Sequence, residues 1–170
     1  MVTSVGAVAP TRTRAWDIAA TVVDPEIPVL TIEDLGVLRT VEEDGDRVRV
    51  ELTPTYSGCP AIDAMRDDVR SALLGAGYRD VEVRMVLAPA WTTDWMTDAG
   101  KSKLREYGIA APNGSAPVHG SGRTVLRMAV KCPRCDSLDT RELARFGSTS
   151  CKALYECRAC LEPFDFFKVL

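Results

Sequence analysis

Two Cys-x-x-Cys pairs, Cys132-Pro-Arg-Cys135 and Cys157-Arg-Ala-Cys160, are separated by 21 residues near the end of a 170-residue chain. Two residues between cysteines let both thiolates of a tight knuckle point at one ion, and two knuckles on facing hairpins give a tetrahedral four-sulfur set. The gap only slightly exceeds the usual ~15–20 residues of such sites. A segment of roughly 45 residues buries too little apolar surface to fold unaided, and a metal would supply the missing stability. The pattern predicts an all-β ribbon over 123–170, with zinc expected on Cys132, Cys135, Cys157 and Cys160. Iron or an iron–sulfur cluster is the competing occupant of four thiolates; four unrelated buried thiols are the plainer alternative.

The other two cysteines stand apart. Cys151 lies six residues before the second pair, where it is either a small buried hydrophobe in a strand or a spare ligand. Cys59 sits in Tyr56-Ser-Gly-Cys-Pro60, ahead of a helical pattern. A thiol at a helix start feels the positive end of the dipole, so an accessible, acidified thiol suited to nucleophilic or soft-metal chemistry is expected, against the alternative of a mere cap residue. An odd cysteine cluster behind a start without a basic, apolar leader reads as metal or redox chemistry in the cytoplasm, not a disulfide framework.

Ahead of the ribbon, residues 1–13 carry no period and read as a flexible arm. Arg14 to Val23 has helical spacing of Trp16, Ala19, Ala20 and Val23, stopped near Asp24 by Pro25 and Pro28. Thr31 offers an N-cap to one short turn. Val37 to Glu43 and Arg47 to Thr53 read as strands with a hairpin signal at Asp44-Gly45. Pro60 to Leu74 is an amphipathic helix on Ile62, Met65, Val69 and Leu73, Asp80 to Leu87 a third strand, and Lys101 to Tyr107 a short helix. Residues 14–109 thus form an α–β–β–α–β–α unit of α+β class. Residues 110–122 are Pro-, Gly- and Ser-rich and read as a linker. Past it, Thr124 to Val130, Lys152 to Glu156 and Phe164 to Val169 are strand-like.

Asp24 and Glu26 flank Pro25, which reads as a rigid loop with solvated acids or as part of a site. Trp91, Asp94 and Trp95 are core aromatics and their neighbour, or a docking patch. The lone histidine, His119, falls in the linker, so a simple Cys–His or Ser–His catalytic pair is absent. No Gly-rich phosphate loop occurs, and no window approaches the ~18 apolar residues of a membrane span. The net charge of −3 divides into about −6 before Arg123 and +3 after it, too mild a basic tail for a nucleic-acid footprint.

The runs DPEIPVLTIEDLGVLR (Asp24 to Arg39) and YSGCPA (Tyr56 to Ala61) resemble the small domain of SufT-type and MIP18-like iron–sulfur assembly factors. The continuation APAWTTDWM and the tail CPRC…STSCKALYECRACLEPFDFFK resemble, more narrowly, the PaaD family of phenylacetic acid degradation. That resemblance implies a non-enzymatic accessory protein of phenylacetyl-CoA epoxidase, a multicomponent di-iron monooxygenase with a [2Fe–2S] flavin reductase as the expected client. It implies a cluster- or iron-transfer site at Cys59 with Asp24 and Glu26, a structural zinc on the four ribbon cysteines, and a part for Cys151. A homodimer pairing two Cys59 residues, or a small thiol, would complete a transient cluster's ligands. The competing readings are a structural epoxidase subunit, a thiol enzyme acting on a coenzyme A ester, for which no base is at hand, and a nucleic-acid-binding ribbon.

Overall fold

Val48, Val50 and Leu52 alternate along β2 (Arg47–Leu52) and are fully buried, which fixes the inward face of the first sheet. The computed structural model describes residues 12–113 and 129–169. β1 (Leu38–Asp44) pairs antiparallel with β2, and Asp44 opposes Arg47 across a two-residue turn in which Gly45 takes φ +57°. α2 (Ala61–Gly75) then crosses over to β3 (Asp80–Met85), which lies parallel to β2, giving strand order β1-β2-β3. The stripe Ile62, Met65, Val69 and Leu73 of α2 enters the same core as the β2 side chains. Each such buried side chain contributes about 1.5–3 kcal/mol.

α1 (Arg14–Ala19) is shorter than its sequence pattern suggests. Thr13 caps it by accepting from the Trp16 N–H, but the β-branched Thr21-Val22-Val23 run leaves the helix and Val23 bridges to Thr31. The Thr31 turn forms as expected, with the Asp34 N–H on the Thr31 hydroxyl and the Thr31 N–H on the Asp34 carboxylate. Asp34 also meets Lys103 at 2.6 Å and the Thr97 N-cap of α3 (Asp98–Tyr107), so one buried acid ties the turn to a helix. A short 3-10 turn at Thr93–Trp95 precedes α3 and lacks any sequence period.

The second sheet is antiparallel, in the order β4 (Thr140–Ala144), β5 (Lys152–Cys157), β6 (Pro163–Phe167). The sequence did not reveal β4, whose residues are largely solvent-exposed and carry no apolar alternation. The strand expected at Thr124 to Val130 lies, as far as Met128, outside the described residues, and so do most of the arm and linker and His119. Ala110 pairs with Phe166: its N–H donates to the Asp165 carbonyl at 2.8 Å and its carbonyl accepts from the Phe167 N–H at 2.9 Å. The chain leaving the first unit therefore adds to the edge of the second sheet. Cys151 and Phe167 belong to the larger core around β2 and α2, while Val130, Ala153, Phe164 and Phe166 form a small separate cluster with Cys132 and Cys157.

Candidate functional site

The two Cys-x-x-Cys knuckles share one backbone design. The Asp136 N–H donates to the Cys132 carbonyl at 3.0 Å and the Leu161 N–H to the Cys157 carbonyl at 2.9 Å, each four residues on. Asp136 and Leu161 both take the left-handed conformation at φ 63°, a strain held where a tight thiolate loop requires it. The four sulfurs lie within 4.8 Å of one another, with Cys132 to Cys160 at 3.8 Å and Cys135 to Cys157 at 3.5 Å. A tetrahedron with metal–sulfur bonds of about 2.3 Å has edges of about 3.8 Å, so the donor set fits one zinc-sized ion.

Backbone N–H groups favour the thiolate form at Cys135, Cys157 and Cys160. N–H groups of Cys160 and Ala159 face Cys157 and bring its thiol down to about 7. The Ser137 N–H favours the Cys135 thiolate, but the neighbouring sulfurs, Cys157 foremost, and burial push it up to about 12. Without a cation the four sulfurs compete for protons, and a divalent ion removes that conflict.

A second candidate site lies where the loop before α2 approaches the turn before β5. The loop before α2 turns at Gly58, φ +104°, and places Cys59 at the helix entrance with its N–H on the Tyr56 carbonyl. Cys59 is nevertheless buried, at 7% exposure. Its thiol is pushed up, not down: burial is the largest cause, and Glu26 and Asp24 add to it against the Ala61 N–H and the Tyr56 hydroxyl, which favour the thiolate. The expectation of an accessible, acidified thiol is therefore corrected. A helix start cannot offset burial beside two carboxylates.

Asp24 is buried as well, which removes the solvated-acid reading for that residue. Its Oδ1 accepts from the N–H groups of Glu26 at 2.6 Å and Ile27 at 2.8 Å. Burial raises its carboxyl all the same, against those two bonds and the charge of Lys152. Glu26 is half-buried and raised by burial and then by Asp24. Cys151 comes to this same place, away from the four-cysteine set. It is 5% exposed, lies 3.0 Å from the Thr149 hydroxyl, and is raised first by burial, with Glu26 and Asp24 adding to it.

Three contributors had no sequence signal. Tyr56 stands between Cys59 and Ser150 and interacts with both. Lys152 is buried and meets Asp165 at 3.5 Å. The segment Phe146–Ser150 forms one wall of a cleft of about 380 Å³, with Tyr56, Gly58 and Pro60 on the other and Glu26 also lining it. A buried lysine and a turn between strands have no pattern that a sequence alone discloses.

The aromatic patch divides. Trp91 is buried, its indole N–H donating to the Leu35 carbonyl at 2.9 Å, so it is a core residue and not a docking group. Trp95 is half-buried beneath the Arg39 guanidinium, 3.5 Å above its ring, and Asp94 is exposed. No helix among the described residues is long and apolar enough to cross a membrane.

Residues 14–85 match the family described as iron–sulfur cluster assembly protein, and residues 117–168 match the PaaD zinc beta ribbon domain. A protein of Escherichia coli K12, provisionally named as one of the subunits of 1,2-phenylacetyl-CoA epoxidase, is 48% identical over 156 residues, 91% of each chain. A protein of Porphyromonas gingivalis W83 named Fe-S protein maturation auxiliary factor is 36% identical over 49% of this chain and 81% of its own. The crystal structure of a domain of unknown function, DUF59, from Bacillus anthracis superposes with a TM-score of 0.50 at 26% identity, covering 54% of this chain and 88% of that one.

Proposed function

The chain belongs to the PaaD family, and on that premise we propose that it is an accessory protein of phenylacetyl-CoA epoxidase that matures a component by delivering iron or an iron–sulfur cluster through Cys59. The observation that carries this reading is a thiol set apart from the four-cysteine site, at the junction of an assembly-factor unit with a ribbon, beside Asp24 and Glu26. In this reading Cys132, Cys135, Cys157 and Cys160 hold a structural zinc, which contributes fold and no chemistry. The cargo is a soft cation taken up and released by ligand exchange, so the Cys59 proton must leave when cargo binds. Burial keeps the empty site protonated and quiet until cargo or client arrives. The client is an epoxidase component, the [2Fe–2S] reductase first, and the setting is the cytoplasm, where thiols stay reduced.

A second reading, a non-catalytic subunit of the epoxidase complex, draws on the name of the E. coli relative. Anaerobic purification with metal analysis and visible spectra separates the two. The maturation reading expects zinc in both the wild type and Cys59→Ser, and an iron or cluster signal in the wild type alone. Zinc in both and no iron difference between them would favour the subunit.

A further inference from the structure

We propose that the cleft between Tyr56 and Phe146 is a docking site for an arginine side chain of a partner protein, with Glu26 as the carboxylate that receives it. The inference goes beyond the delivery role and does not depend on Cys59 carrying cargo. Among the described residues the Glu26 carboxylate takes no hydrogen bond and no ion pair, although the residue is half-buried. Every other buried or half-buried carboxylate there has a partner, as Glu33 has Arg12, Asp34 has Lys103, Glu156 has Arg141 and Asp165 has Lys152. The Glu26 backbone, by contrast, is fixed. Its N–H donates to Asp24 Oδ1 at 2.6 Å, and Pro25 and Pro28 stiffen the loop around it. An unpaired carboxylate on a fixed loop, lining a cleft, is left for a cation from outside the chain.

The lining selects the sign of that ligand. Glu26 is the one charged residue among those lining the cleft, and Asp24 adds its negative charge nearby. The α2 entrance gives an anion no free donor in its first turn: Pro60 has no N–H, the Ala61 N–H faces the Cys59 sulfur, and the Ile62 N–H donates to the Cys59 carbonyl at 3.4 Å. The aromatic walls favour a flat cation. Phe146 is 65% exposed, and Lys168 stands 4.4 Å from its ring centroid, so this ring already attracts positive charge. Lys168 is itself held by the Arg145 carbonyl at 3.3 Å and does not line the cleft. A guanidinium both stacks on rings and forks onto a carboxylate, which an ammonium cannot do. The volume of about 380 Å³ is near the lower end of the ~300–1,000 Å³ of small-ligand sites, room for one side chain and its flanking backbone. Gly58, Pro60 and Phe146 leave the rim exposed, so a partner chain can pass across it. The net charge of about −6 before Arg123 steers a basic partner toward this surface.

Zinc-loaded, isotope-labelled full-length protein titrated with the capped peptide Gly-Gly-Arg-Gly-Gly at mildly alkaline pH tests this through amide chemical shifts. The expected result is saturable, millimolar binding that moves the amides of Glu26, Gly58 and Gly147 to Ser150. Replacing the peptide's arginine by citrulline, its uncharged isostere, should weaken binding at least about tenfold, the effect of losing a charge-assisted contact. Glu26→Gln should weaken the arginine peptide by as much, with one zinc per chain retained. The citrulline comparison uses the wild-type chain and needs no variant to fold. Equal binding of the two peptides, unchanged binding to Glu26→Gln, shifts confined to other surfaces, or no saturable binding overturns the proposal. Butylguanidine binding at least about tenfold tighter than the peptide overturns it as well, assigning the cleft to a small molecule. Each of these outcomes leaves the Cys59 reading to the metal analysis of Cys59→Ser.

Discussion

The ring of Phe167 lies 6.1 Å from that of Trp91, tilted by 58°, so the last strand of the ribbon sheet supplies an aromatic side chain to the core of the unit before it. The Trp91 indole N–H in turn holds the Leu35 carbonyl, next to the tight turn at Gly36. Packing at the ribbon is thereby connected to the loop geometry of the first sheet.

Phe167→Ala should cost about 3–5 kcal/mol, the usual loss on removing a fully buried aromatic ring. Urea unfolding followed by tryptophan fluorescence and by far-UV dichroism measures it. A loss below about 1 kcal/mol would mean that the two units are not coupled through this contact.

The Cys59 thiol should titrate above the ordinary value of 9.0, since burial and two carboxylates outweigh the Ala61 N–H. Alkylation rates against pH, with the ribbon sulfurs held by zinc, give the midpoint. A midpoint below the ordinary value would show that the helix start governs the thiol after all.

Burial raises the Asp24 carboxyl above its ordinary 3.8, so the folded chain binds this proton more tightly than the unfolded chain does. Stability from this group is therefore greatest below 3.8 and falls as pH climbs through the raised value. Asp34 acts in the opposite sense: despite its own burial, Lys103 and Thr31 hold its carboxyl down, and its contribution is lost as pH falls below 3.8. Asp24→Asn keeps an acceptor for the Glu26 and Ile27 N–H groups and should flatten the decline toward neutral pH. Urea midpoints of the zinc-loaded proteins across the mildly acidic range measure the difference, and identical profiles would contradict it.

Gly36 takes φ +69°, and a Cβ there would lie 2.4 Å from the Trp95 carbonyl oxygen. Gly36→Ala should cost about 3 kcal/mol or more, because left-handed strain and a backbone clash coincide. Thermal unfolding reads this directly; a shift of only a degree or two would contradict it.

Much of this architecture is legible in the residues. The β1–β2 hairpin follows from the alternation of Val48, Val50 and Leu52, and the stripe of α2 from its helical period. The four-cysteine set follows from spacing alone, because two knuckles can satisfy one ion in few other ways. β4 stayed hidden because an exposed edge strand has no inward face to pattern. The placement of Cys151 and Lys152 against Asp24 and Cys59 was equally hidden, since it depends on how the two units dock and on no local period. Tertiary packing also decides the state of Cys59: a helix entrance suggests an acidic thiol, and burial together with Glu26 and Asp24, far away in sequence, reverses it.

The central claim is that this protein equips the epoxidase and takes no part in its turnover. The most direct measurement compares epoxidase components purified from cells with the wild-type chain, with no chain, and with Cys59→Ala, scoring iron and cluster content. The account predicts that all components are expressed in each strain, that they are poor in iron or cluster in the latter two, and that mature epoxidase turns over without this protein. A fully metallated epoxidase that still requires the protein in stoichiometric amount would contradict it, and the subunit reading would take its place.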